Sequence, residues 1–306
     1  MTERTSTFPE PPLPALGVLN TVNVFVGGPG GGNPVPFVAD ASAMTSDEML
    51  AIAKSTGHES AFVLAPVASG ASWRMRFFVP KHEMEMCGHA TVGTLWALRQ
   101  WGLWDGATIC VETLSGLVDA IWDAGVSRVW ISQPAVQRET LTEEQRRGIA
   151  EVLGLPPGLV PVMTNASTSR IKTLIEMPDV ASLNAISPDF TAMEALCASI
   201  GSTGLYPFAM AGHDDEGQPI VAARQFPKSS GYPEDAATGI AAAALWGHLA
   251  ATGAVSVGTS SSPVMCTIRQ GEAMGRPSAI EVRARFSGAT STAGCWLSGL
   301  VTWDSL

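Results

Sequence analysis

Two stretches of this 306-residue chain echo one another. "HATVGTLWALRQW" begins at His89 and "AATGIAAAALWGHL" at Ala236, each setting Ala-Thr close to a glycine at the head of an apolar, small-residue run. Thr91 and Thr238 stand 147 positions apart (238 − 91), close to half the chain. A repeat at that period restricts the fold to architectures that can be built twice. It predicts two similar lobes, each with a central helix wrapped by sheet.

The elements around the two runs fit that plan. Alternation over Val18 to Val26 predicts a half-buried strand, and the turn-rich "GGPGGGNP" leads to another at Val35 to Val38. Thr45 with Glu48 forms a capping box for a helix that Gly57 stops. "HESAFVL" then enters a strand, with Glu59 at the corner. "WRMRFFV" alternates as a strand, Pro80 to Met86 form a connection, and Ala90 to Trp101 read as a buried helix. Further strands are expected around Ile109, at "LVDAIW" and at "RVWIS". In the second half Thr142 and Gln145 cap a helix ending before Pro156, and Ser187-Pro188 start another that runs to Ile200. Strands are expected at 205–209, 220–226, 264–269, 280–285 and 294–301. The expected division is an extended tail over 1–15, a first lobe over 16–132 and a second over 133–306, the last strand being a candidate to return to the first lobe.

Composition narrows the function classes. At 46% hydrophobic the chain can bury a substantial core, and a net charge of −10 argues against sequence-independent nucleic-acid binding. Five irregularly spaced cysteines with no CxxC pair suggest neither a disulfide framework nor a structural zinc site. The start, "MTERTSTFPEPPLPALG", lacks the pattern of a secretory signal, and "IAAAALWGHLAATGAV" is too short and interrupted for a membrane span. A cytoplasmic protein is the expectation. Nine tryptophans suggest an aromatic-rich interior or cleft.

Several residues could carry chemistry. Glycine at a helix start lets a ligand approach bare amides, and the dipole there favours an anion, so starts at Gly88 and Gly239 facing each other would bind a carboxylate. Close helix-to-sheet packing explains Gly88, Gly93 and Gly239 equally well. Glu59 is either a solvated turn charge or a carboxylate in a cleft, raised by desolvation into a general acid or base. Asp235 precedes the second helix start, where capping is its ordinary role. In "EMCGHATVG", Cys87 and His89 can be metal ligands lacking a third partner, a nucleophile with its base, or a buried thiol beside an unrelated imidazole.

Taken together these motifs resemble the PhzF-like family, isomerases related to phenazine biosynthesis that share the diaminopimelate-epimerase fold. The resemblance runs from about Val18 onward through "VNVFVGGPGGGNPVPFV", "HESAFVL", "RFFVPKHEMEMCGHATVG", "RQFPKSSGYPEDAATGIAAAAL" and "QGEAMGRPSAIEV". It implies an α+β fold of two lobes, each a curled, mostly antiparallel sheet around a helix, with the active site between them. It implies a metal-free and cofactor-free isomerase acting on a small unsaturated or cyclic carboxylic acid in biosynthesis of a secondary metabolite. Glu59 falls on the family's catalytic glutamate, with His89 and Asp235 as its other catalytic positions. Cys87, Gly88, Ala90, Thr238, Gly239 and Ile240 fall on substrate-binding positions, and a homodimer is the implied assembly, with no nucleic-acid or membrane partner.

Three departures set the chain apart from members acting on dihydrohydroxyanthranilate. Ile240 replaces a serine, Ala236 a proline, and His58 the serine before the glutamate; His58 either adds a titrating group near Glu59 or points to solvent. The fold's racemase branch uses two thiols, of which Cys87 matches the first, while Ala236 stands at the second. An amino- or imino-acid racemase using Cys87, and a non-catalytic ligand-binding homologue, are the rival readings.

Overall fold

The computed structural model describes residues 16–159 and 161–304, so the tail expected over 1–15 lies outside the described residues. Among the described residues six α-helices are present: α1 (Ser46–Thr56), α2 (Gly88–Gln100), α3 (Glu143–Val152), α4 (Val180–Asn184), α5 (Phe190–Ser199) and α6 (Gly239–Thr252).

The strand pairing follows one pattern twice. In the first half Leu19–Val24 runs antiparallel to Asn33–Val38, which runs parallel to Ser60–Leu64. That strand is antiparallel to Trp73–Phe78, which is parallel to Thr108–Thr113. Gly116–Asp123 and Arg128–Gln133 follow, each antiparallel to its predecessor. In the second half Met163–Ser167, Ile171–Glu176, Gly204–His213, Pro219–Ala223, Met265–Gln270, Ser278–Phe286 and Thr292–Ser298 pair in the same sequence of antiparallel and parallel steps. Parallel neighbours need a crossover, and helices supply it at matching places. α1 corresponds to α4 and α5, and α2 to α6.

The halves are stitched at both ends. Ile131 to Gln133 pair with Cys295 to Leu297, which makes the sheet continuous between halves. Gln137–Thr140 follows the first half in sequence but pairs with Met163–Ser167 of the second. Val301–Trp303 follows the second half and pairs with Val22 to Val24 of the first. Trp303 thereby stacks on Trp101 at 5.3 Å and meets Trp96 at 5.4 Å.

α2 and α6 are the two central helices. α6 is buried along Gly239 to Leu249, as a helix apolar on every side must be, and its Ala241 to Ala244 run lets sheet close around it. One core contains Val92 and Leu95 of α2 together with Ala244 and Leu245 of α6. Separate apolar clusters lie beneath α1 and between α3, α5 and the second-half sheet. No helix among the described residues is long and apolar enough to cross a membrane.

Local expectations hold where a side chain has only one role to play. Both capping boxes form, at Thr45 with Glu48 and Thr142 with Gln145, and Gly57 ends α1 at φ 72°. The start expected at Ser187-Pro188 is displaced: Asp189, two residues beyond the serine, caps α5, accepting from the amides of Thr191 and Ala192. The connection over Pro80 to Met86 contains a short strand, Glu83–Met84. The strands Gln137–Thr140, Met163–Ser167 and Ile171–Glu176 and the short α4 were not expected. The helical echo is also offset in detail, since Thr238 caps α6 whereas Thr91 lies inside α2. The repeated strand order establishes the duplication more firmly than that match does.

Candidate active site

α2 and α6 begin against one another. A methyl group built on Gly88 would lie 3.5 Å from the Gly239 Cα and 3.5 Å from the Ile240 amide nitrogen. Gly93 is a packing glycine, since a methyl there would come 2.5 Å from Val24. Neither helix start is capped by a side-chain oxygen, and neither has an acidic residue in its first turn. The amide ends of two helices therefore converge on one spot, an arrangement that favours an anion.

A cavity of about 30 Å³ opens there, room for one or two waters. Its lining includes Glu59, Cys87, Gly88, His89, Asp235, Thr238, Gly239 and Ile240. It also includes Arg170, Lys172, Gln225 and Tyr232 from the second half, none of which sequence reading singled out. A small carboxylic acid needs more room than this, so lining groups must give way to admit one. Ala90 does not line the cavity; its amide turns to the Cys87 sulfur instead. His58 is half-buried and does not line it either. No tryptophan reaches the cavity, whose aromatic residue is Tyr232.

Glu59 is the hub. Its side chain is 12% exposed, so it is no solvated turn charge. The Cys87 thiol donates to Oε2 at 2.9 Å, His89 Nε2 stands 3.5 Å from the same oxygen, and Tyr232 donates to Oε1 at 3.4 Å. Burial pulls the carboxyl upward and is the largest single influence. His89, Arg170, the thiol hydrogen bond and Lys172 together outweigh it and leave Glu59 below the usual glutamate range. This reverses the rise expected from desolvation alone. The cause is the pair of second-half cations together with the donors crowded around the carboxylate.

Asp235 goes the other way. Burial, then the negative Glu59, push it above the usual aspartate range against the pull of His89, Thr238 and Lys172. Asn33 Nδ2 donates to Oδ1 at 2.8 Å across the interface between halves, and the Thr238 hydroxyl donates to Oδ2. No backbone amide reaches its carboxylate, so the capping role expected for Asp235 is not the one it plays. Gln270 fixes the local backbone by donating to Asp235 O at 2.8 Å, and Tyr206 in turn donates to Gln270 at 2.9 Å. The proton affinities of the two carboxyls are thus driven apart.

The Cys87 thiol is pushed well up by burial first and Glu59 second, so it stays protonated. Cys87, His89 and Glu59 present ligand atoms within 4.8 Å of one another, close enough to share a cation. The thiol proton is engaged by Glu59. Cys87 is the only cysteine lining the cavity among the described residues, and Ala236 is buried.

The loop carrying Tyr232 is clamped at its base. Arg224 makes a bidentate ion pair with Glu234, at 3.0 and 2.9 Å, and also donates to Ile186 O at 2.8 Å. The Asp235 amide donates to Gln225 O, so the ends of the loop are held together beside the cavity.

A duplicated two-lobe α+β fold with a carboxyl-lined cavity where its central helices meet defines the diaminopimelate-epimerase-like fold class. The chain belongs to the PhzC-PhzF family, described as phenazine biosynthesis-like protein, whose profile matches residues 22–296. It is 32% identical over 286 residues to an uncharacterized isomerase of Deinococcus radiodurans, covering 90% of each chain. A trans-2,3-dihydro-3-hydroxyanthranilate isomerase of Pseudomonas aeruginosa is 30% identical over 271 residues, covering 87% of this chain and 90% of that one. The crystal structure of a PhzF-family phenazine biosynthesis protein from Bacillus anthracis superposes with a TM-score of 0.79 at 23% identity, covering 94% of this chain and 96% of that one.

Proposed function

We propose that this isomerase moves a proton between two carbons of a small unsaturated or cyclic carboxylic acid, with Glu59 as the base, in a biosynthetic pathway for a secondary metabolite. The observation that carries the reading is the opposed titration of Glu59 and Asp235, one from each half, beside two converging helix starts.

The helix amides hold the substrate carboxylate and stabilise the negative charge that develops when carbon loses its proton. Glu59, ionised at neutral pH, takes that proton as the electron pair moves into the conjugated system. The proton returns at the far end of that system from Glu59, or from Asp235, which Glu59 then reprotonates, so substrate and enzyme both end with the protons they began with. His89 and Tyr232 orient Glu59, while Asn33 and Thr238 hold Asp235. The Pseudomonas relative supports an unsaturated cyclic acid, but Ile240 lines this cavity with an apolar side chain, which favours a different substituent pattern.

A panel of small unsaturated carboxylic acids incubated in D₂O tests the reading by NMR. Deuterium should enter at exchanging carbons with the unaltered enzyme and be slowed about a hundredfold or more by Glu59→Gln. Exchange that persists at full rate in the folded variant would exclude Glu59 as the base.

A further inference from the structure

We infer that Lys172, Gln225 and Arg170 form a second acid-binding subsite, so that the substrate carries two carboxylates: one at the helix starts and one at these side chains. This rests on the proposed function for its first carboxylate and extends it to the substrate class.

Lys172 is 4% exposed in a strand interior, yet it faces the cavity and not solvent. Neither Lys172 nor Arg170 makes a direct ion pair among the described residues, although both act on Glu59 from across the cavity. Gln225 is 1% exposed, lines the same cavity, and has no hydrogen-bond partner for either its amide nitrogen or its oxygen. Arg170 Nε is likewise buried without a partner. Unpaired buried donors are costly, and a structure tolerates them where a ligand completes them.

The surroundings are shaped to keep these groups there. A methyl on Gly204 would come 2.4 Å from Gln225 Nε2, so glycine makes the room this amide occupies. The strand Ile171–Glu176 is the second-half counterpart of Asn33–Val38. In the first half the head of that strand offers the neutral Asn33, already donating to Asp235. In the second half it offers Arg170 and Lys172, neither in direct ion-pair contact with an acid among the described residues. A substrate amine is disfavoured beside Arg170 and Lys172, and a carboxylate is the group whose two oxygens suit a lysine and an amide together.

Matched acids test this. trans-Glutaconate and trans-2-pentenoate differ only in a carboxylate replacing a methyl group, and their binding to the full chain is measured by calorimetry. The diacid should bind about tenfold more tightly or better, and Lys172→Met and Gln225→Leu should each remove most of that preference. Equal affinities, no binding of either acid, or a preference intact in both variants would overturn the subsite. Deuterium incorporation into bound glutaconate in D₂O is read separately. A diacid preference without exchange supports the subsite and counts against proton transfer by Glu59.

Discussion

The Cys87 thiol donates to the carboxylate of Glu59 at 2.9 Å, so the residue that looks most like a nucleophile has its proton engaged by the acid beside it. A protonated thiol in that position stabilises the ionised carboxylate and holds its pKa down.

Cys87→Ala should lower turnover by no more than about a hundredfold, since a hydrogen bond to an ionised group contributes about 1.5–3 kcal/mol. Activity requires ionised Glu59 and is lost as pH falls through its pKa. Without the thiol that acid limb should move to higher pH. A pH profile of kcat/KM reads the shift, and a collapse of activity at every pH would instead implicate a thiol mechanism.

Asp235→Asn should fold normally, because an amide oxygen still accepts from Asn33 and the Thr238 hydroxyl can turn to accept from the new amide. It cannot supply a proton. Turnover should fall about a hundredfold or more, with the urea midpoint little changed.

Glu234→Gln breaks a nearly buried ion pair and leaves the Arg224 charge half-satisfied. The expected cost is on the order of 3 kcal/mol in urea unfolding. Tyr232 loses its anchored loop, so KM should rise as well. Replacing both partners by apolar residues should recover much of the stability while KM stays raised.

Lys172 links stability to pH. Burial, then Arg170, lower its pKa from 10.5 to about 7, against the pull of Asp235, Glu59 and Cys197. Between pH 7 and 10.5 the unfolded chain holds a proton that the folded chain has released, so stability from this group rises with pH across that window. Below pH 7 both states are protonated and the folded state bears the full burial cost. Lys172→Met should be more stable than the parent at pH 7 and below, on the order of a few kcal/mol. Chemical denaturation at pH 6.5 and 9 should show a smaller gain at the higher value.

What sequence reading found and what it missed divide along physical lines. Glu59, His89 and Asp235 sit in motifs with local character, and the structure brings all three to one cavity. The Asn33–Asp235 hydrogen bond joins residues 202 positions apart, and no local pattern announces it. Lys172 breaks the apolar alternation of its strand, which hides the strand and disguises a cavity-facing cation as a surface one. Tyr232 lies in a run of Gly, Ser and Pro that reads as a turn, and only the Arg224–Glu234 clamp makes that turn a wall. Glu59 was located, but the direction of its titration is set by His89 first and then by Arg170, the Cys87 thiol and Lys172, two of them from the other half.

The exchange of Gln137–Thr140 and Val301–Trp303 between halves bears on how such a molecule can come about. A half-length chain could complete this architecture only by swapping its terminal strand with a second copy of itself. That ancestral pair would be symmetric, and every group on one wall of its cleft would be mirrored on the other. Covalent fusion lifts that constraint. Once one polypeptide encodes both walls, the two sides can carry different residues, here Glu59 on one and Asp235 on the other, each with its own hydrogen-bond partners.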